Sequence, residues 1–254
     1  MRPLKDAGVI LRLIRYEMST QHRETLFGLA TTAVWPLLQT VALLLAFGGF
    51  RSGGLAVWIT SYLGVLVWNA AAGVIASNLA IFRTNRDLIT QIVFPFYHLS
   101  VVDVAVKYSF LLFQMAVALA ALLFVSGNAS HGAALPALLV FFLCYFGALV
   151  AFGWLASLAG TILPDLSLIV PALLTMLLVL SPIFQRGPQL DSTALHLINL
   201  CNPLSHWVGF FDAALDATAL TPQLLLPPIL YSGALLVVAG TAVRYAFREL
   251  AKIV

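Results

Sequence analysis

From Tyr108 to Leu163 the chain reads YSFLLFQMAVALAALLFVSGNASHGAALPALLVFFLCYFGALVAFGWLASLAGTIL, without a single Asp, Glu, Lys or Arg. A membrane-spanning helix needs roughly 20 apolar residues, so this stretch is long enough for two. Its middle, Ser126-Gly127-Asn128-Ala129-Ser130-His131-Gly132, is a cluster of turn formers. The stretch therefore reads as two helices joined by a turn. Barrel strands would instead alternate polar and apolar residues over about ten positions, and that alternation is absent.

Working outward, the same logic covers most of the chain. Leu26 to Phe50 and Ser52 to Phe82 are also uncharged, as are Ser167 to Gln185 and Thr218 to Val243. Over all 254 residues, 61% are hydrophobic and 9% charged, against about a quarter charged in soluble domains. The expected fold is an all-α integral membrane protein, a single domain over 1–254. Its six transmembrane helices fall at about 26–50, 56–81, 104–125, 134–160, 166–184 and 222–245.

Three segments fit no span. At 100° per residue Leu4, Ala7, Ile10, Leu11, Ile14 and Met18 share one stripe and Arg2, Lys5, Arg12 and Arg23 the other face. Residues 3–24 are thus predicted to form an N-terminal amphipathic interface helix. It serves either as a docking surface for a cytoplasmic partner or as a lipid anchor. Leu88 to Val102 is short, contains Pro95 and follows Arg83-Thr84-Asn85-Arg86-Asp87, which places it at the membrane surface. Leu195 to Phe211 carries Asn199, Asn202, Pro203 and His206. Broken backbone is tolerated at membrane depth only where protein or water surrounds it, so 186–217 is expected to be re-entrant.

Charge then orients the chain. With six spans, Arg2, Lys5, Arg12, Arg15, Arg23, Arg83, Arg86, Lys107, Arg244, Arg248 and Lys252 share one side, and only Arg51 and Arg186 the other. Eleven against two predicts both termini in the cytoplasm. The net charge of +3 is accounted for by this pattern and implies no nucleic-acid partner.

The chain offers little chemistry of its own. A phosphate-binding loop would end in Gly-Lys, but Lys5, Lys107 and Lys252 follow Leu4, Val106 and Ala251. The five histidines lack the spacing of a zinc site, and neither Ser157 nor Ser181 has the setting of an intramembrane nucleophile. The ten acids are expected at helix ends or loops, with Asp103 and Lys107 pairing four residues apart at the start of the third span. Cys144 and Cys201 are expected to be membrane-buried thiols. No catalytic or metal-binding residue is assigned, and a transporter built on this chain would need an external energy source.

Two motif groups carry a family resemblance. The first is Asn85-Arg86-Asp87-Leu88-Ile89-Thr90-Gln91-Ile92-Val93-Phe94-Pro95. The second is Leu180-Ser181-Pro182-Ile183-Phe184, followed by Asn202-Pro203-Leu204 and Phe211-Asp212-Ala213. In order and spacing these resemble the membrane subunit of ABC-2 type polysaccharide exporters, which export O-antigen and capsular polysaccharide, and the resemblance runs from about Leu13 to the last span. Gly28 and Pro36 keep the family's spacing, but its intervening tryptophan is replaced by Thr31 or Thr32, and Trp35 precedes the proline. Ile162-Leu163-Pro164-Asp165 is nearer to capsule members than to O-antigen members, which leaves the polymer open.

The resemblance implies a homodimer of this chain with two copies of a separate ATP-binding cassette subunit that carries ATP and Mg. The substrate would be a lipid-linked polysaccharide crossing the bacterial inner membrane. A cytoplasmic coupling helix is implied in 83–95, with Arg83, Asn85, Arg86, Asp87 and Leu88 as contacts, the other reading being an ordinary positive loop. Since sugars stack CH faces on aromatic rings, Trp35, Phe47 and Phe184 are candidates to line the channel, and Asn202, Pro203, His206 and Trp207 to form a periplasmic gate. The competing reading places these aromatics at the membrane interface or against lipid. Pro36 and Pro182 read as hinges or packing kinks. An ABC-2 exporter of a smaller lipid or hydrophobic compound is the alternative function. A membrane-embedded transferase would need an acidic metal motif that the cytoplasmic loops lack.

Overall fold

A computed structural model of the chain describes residues 8, 12–15, 29–46, 54–85, 97–126, 134–181, 183, 193–217 and 220–250. Among these residues all regular structure is helical, as hydrocarbon demands of backbone that must satisfy its own hydrogen bonds. The helices are α1 (Leu29–Ala46), α2 (Leu55–Asn78), α3 (Ile81–Thr84), α4 (Tyr97–Ser126), α5 (Leu135–Ile162), α6 (Leu166–Val179), α7 (Thr193–Cys201), α8 (Pro203–Leu215) and α9 (Pro222–Leu250).

Four of them, α2, α4, α5 and α9, are long and apolar enough to cross a membrane. At the expected spans 26–50 and 166–184 the described residues hold shorter apolar helices, α1 with 18 residues and α6 with 14. At 1.5 Å per residue these are about 27 and 21 Å long, against about 30 Å of hydrocarbon. Of the turn expected near residues 126–132, only Ser126, the last residue of α4, is described; residues 127–133 lie outside the described residues. Residues 12–15 are helical; the rest of the expected interface helix, other than residue 8, lies outside the described residues.

One boundary differs from expectation. Helix α4 opens at Tyr97 rather than near 104, so the end of the segment assigned to the membrane surface is the first turn of a long helix. Asp103 and Lys107 consequently lie two to three turns inside it. In the segment 186–217, α7 and α8 meet at Asn202. The break has a local cause: Pro203 has no N–H to give, and the Asn202 side chain accepts the Leu204 N–H at 3.0 Å as an N-cap.

Helix α2 is the hub, packing against α1, α4, α5, α6 and α8, while α5 packs against α2, α4, α8 and α9. The largest fully buried side chains include Trp68 on α2, Phe141 and Tyr145 on α5, and Trp207 and Phe211 on α8. The Tyr145 hydroxyl donates to the Val67 carbonyl, so the deepest tyrosine has a partner, as burial requires. Close approach depends on glycine at two points of α5. A Cβ on Gly153 would lie 2.6 Å from Ser100 Oγ, and one on Gly160 only 1.9 Å from the Leu79 carbonyl oxygen. Both cysteines are free; Cys144 is half-buried and Cys201 exposed.

Candidate functional site

Trp35 projects from α1 with 69% of its surface exposed, and a cleft opens on either side of it. One, of about 300 Å³, runs between α1, α2 and α6 past Gln39, Asn69, Gly73, Pro171 and Thr175. The other, of about 350 Å³, runs between α1, α2 and α4 past Pro36, Asn69, Gly73, Lys107 and Gln114. Their shared wall is Trp35, Asn69 and Gly73. Asn69 Nδ2 donates to Gln39 Oε1 at 2.8 Å, which fixes a polar bridge between α1 and α2. Each short helix carries a proline with a threonine four residues on. Thr40 Oγ1 donates to the Pro36 carbonyl at 2.8 Å, and Thr175 Oγ1 to the Pro171 carbonyl at 3.0 Å. Back-bonding of this kind bends helices, and here it adds to the hydrogen bond each proline removes.

Lys107 anchors the floor of the second cleft. Its Nζ pairs with Asp103 and donates to Ser77 Oγ at 3.0 Å. Asp103 Oδ2 accepts from Ser77 Oγ at 2.7 Å and from Asn78 Nδ2 at 2.8 Å. A lone charge in a spanning helix costs about 2.5–3.5 kcal/mol on insertion scales; opposite charges sharing hydrogen bonds offset that cost. The lysine stem passes over Gly73, where a Cβ would be in ordinary van der Waals contact with Lys107 Cδ at 3.9 Å. Asn78 Oδ1 and Ser100 Oγ, both fully buried, have no hydrogen-bond partner among the described residues.

The α2–α3 connection is tied to the α5–α6 turn. Arg83 Nη2 donates to Ser167 Oγ at 2.7 Å and to the Pro164 carbonyl at 3.3 Å. Ser167 is the second residue of α6. Beside this tie the Leu79 carbonyl packs on Gly160. Asn85 is used locally, its Nδ2 closing α3 on the Ile81 carbonyl at 2.9 Å. Arg86, Asp87 and Leu88, the other expected coupling contacts, lie outside the described residues.

At the far end of the bundle, Asn202, Pro203, His206 and Trp207 come together at the α7–α8 junction. His206 Nε2 is 2.9 Å from the Leu200 carbonyl, and its ring lies 5.8 Å from that of Tyr231. Trp207 is fully buried, with ring centroids 5.3 Å from Tyr145 and 6.0 Å from Phe141. In this arrangement Trp207 is a packing anchor, and any motion of it would carry α8 along. Of the expected channel residues, Trp35 borders both clefts, while Phe47 and Phe184 lie outside the described residues, as does Pro182.

Sequence reasoning passed over Gln39, Asn69, Gln114, Pro171 and Thr175. The first three were visible as isolated amides within uncharged runs, the kind of residue that marks an interior-facing or functional position in a span. Among the described residues no group of three or more His, Cys, Asp or Glu comes together to hold a metal. Compared with known protein families and curated proteins, the chain matches no family model and no curated sequence.

Proposed function

We propose that this chain is the membrane-spanning subunit of an ABC transporter that exports a lipid-linked polysaccharide across the bacterial inner membrane. It crosses that membrane six times with both termini in the cytoplasm, and works as a homodimer with two separate ATP-binding cassette subunits. Helices α1 and α6, with flanking residues, supply the two spans beyond α2, α4, α5 and α9, and α7 and α8 form the re-entrant periplasmic element. The chain itself catalyses nothing and holds no cofactor.

The observation that carries the reading is the Arg83 tie. Residues 83–95 are where the resemblance puts the coupling helix, and Arg83 bonds directly to the first turn of α6. Helix α6 in turn brings Pro171 and Thr175 to the cleft beside Trp35. A push delivered to the coupling segment thus reaches a wall of the cleft through one short hydrogen-bonded link. The cleft supplies what a glycan needs: an exposed indole for a sugar CH face, and amides at Gln39 and Asn69 for hydroxyls. Pro36 and Pro171 give α1 and α6 bends at which a lumen could widen.

The test is Arg83→Glu, with Arg83→Lys beside it, measured in the native host as surface polysaccharide and in purified complexes as stimulated ATP hydrolysis. Both readouts fall for the glutamate variant and largely survive for the lysine variant. Full export and full stimulation in Arg83→Glu at normal protein levels would refute the proposal. Trp35→Ala adds the substrate arm: export of glycan declines while partner binding is kept.

A further inference from the structure

A third cleft, of about 530 Å³, opens between α5 and α9, and nothing in the transport reading uses it. It is lined by Trp154 of α5 and by Leu236, Val237, Gly240, Thr241 and Arg244 of α9. Gly240 lies in its wall opposite Trp154, and a Cβ there would meet nothing nearer than a Trp154 ring carbon at 3.9 Å. The Thr241 hydroxyl is already engaged, donating to the Val237 and Val238 carbonyls at 2.9 Å. The available polar group at the mouth is therefore Arg244, which is exposed and has no hydrogen-bond or ion-pair partner among the described residues.

Depth and charge identify the occupant. Arg244 is the first charge after the uncharged run Thr218 to Val243, which places it at the edge of the apolar part of α9, with apolar walls at Leu236 and Val237 about two turns earlier. A guanidinium over a narrow apolar slot matches a phosphate with an acyl chain beneath it. Helix α9 packs on α5 and α8 and shares no substantial interface with α1, α2 or α6. The cleft is thus separate from the Trp35 clefts, and a bilayer lipid reaches it without entering them.

We propose that the α5–α9 cleft binds one anionic phospholipid, its phosphate on Arg244 and one acyl chain along Trp154, Leu236 and Val237. The site is independent of the transport proposal and stands or falls by lipid binding alone.

The test is native mass spectrometry of the purified full chain titrated with phosphatidylglycerol or phosphatidylcholine. One basic residue near an anionic headgroup gives a preference for phosphatidylglycerol of about fivefold. Arg244→Ala erases that preference and Arg244→Lys keeps most of it. Gly240→Leu fills the slot and lowers binding of both lipids at this site. Retained preference in Arg244→Ala, or undiminished binding in Gly240→Leu, would overturn the proposal. Displacement of phosphatidylglycerol by an equal concentration of polyprenyl phosphate would also overturn it, by assigning the site to a carrier lipid. So would a change of oligomeric state in Gly240→Leu, which would make the face a contact between copies. Should Arg244→Ala fail to fold, Arg244→Gln takes its place in the same comparison.

Discussion

Replacing Gly160 by alanine puts one methyl group where the chain has no space for it. The added carbon would stand 1.9 Å from the Leu79 carbonyl oxygen, 2.6 Å from its carbon and 2.7 Å from its Cα. Ordinary C···O contacts begin near about 3.3 Å, so α5 and the α2–α3 turn must separate by about 1.4 Å. All three obstructing atoms are backbone, and no rotamer change relieves them. Overpacking of this kind costs about 1–3 kcal/mol, and rigid backbone puts the cost in the upper half of that range. Alanine's higher helix propensity returns about 1 kcal/mol. The net loss is about 1–2 kcal/mol, which lowers the melting temperature by about 2–8 °C at 2–4 °C per kcal/mol. Gly233 of α9 is the matched control, because a Cβ there meets nothing within 4 Å. Thermal unfolding of the two variants in the same detergent, followed by size-exclusion chromatography, decides the matter. Equal melting temperatures for Gly160→Ala and Gly233→Ala would refute the claim that α5 and the Leu79 turn are in enforced contact.

Two further outcomes follow from the polar groups. Lys107→Met leaves Asp103 charged inside an apolar helix and lowers stability by up to about 3 kcal/mol. The double variant Asp103→Asn with Lys107→Met recovers most of the loss, and a double-mutant cycle of melting temperatures in detergent reads the coupling; strict additivity would dissolve the pair as a stabilising unit. Asn202→Ala removes the α8 cap and costs about 1 kcal/mol, whereas Asn202→Asp, which keeps the acceptor, loses much less. Identical melting temperatures for those two variants would mean that the Leu204 N–H does not depend on the side chain.

What the sequence made legible, and what it did not, divides along one physical line. Long uncharged runs are an intrinsic property of a segment, and the helices at 55–78, 135–162 and 222–250 follow from them with errors of a few residues. Boundaries such as Tyr97 depend on whether a polar residue can be satisfied by another helix. Asp103 looked like the end of a span because a lone carboxylate belongs in water, yet Ser77 and Asn78, some 25 residues earlier, hold it inside α4. The proline at 36 was readable as a break in its own helix. The matching role of Pro171 was not, since it shows only when both short helices are seen to carry a proline with a threonine four residues on and to border the same cleft.

The same line separates the two uses of Arg83. By charge count it is one of eleven basic residues marking a side of the membrane, and any loop position would serve. By geometry it reaches Ser167, 84 residues later, across a turn whose Leu79 carbonyl lies against Gly160 of α5. Glycine at 160 and arginine at 83 are therefore parts of one junction. It follows that Gly160→Ala should weaken the Arg83–Ser167 hydrogen bond as well as the packing, so the loss of stability and the loss of coupling should track each other at that position. At Arg83→Glu, where the backbone contact is untouched, they should separate.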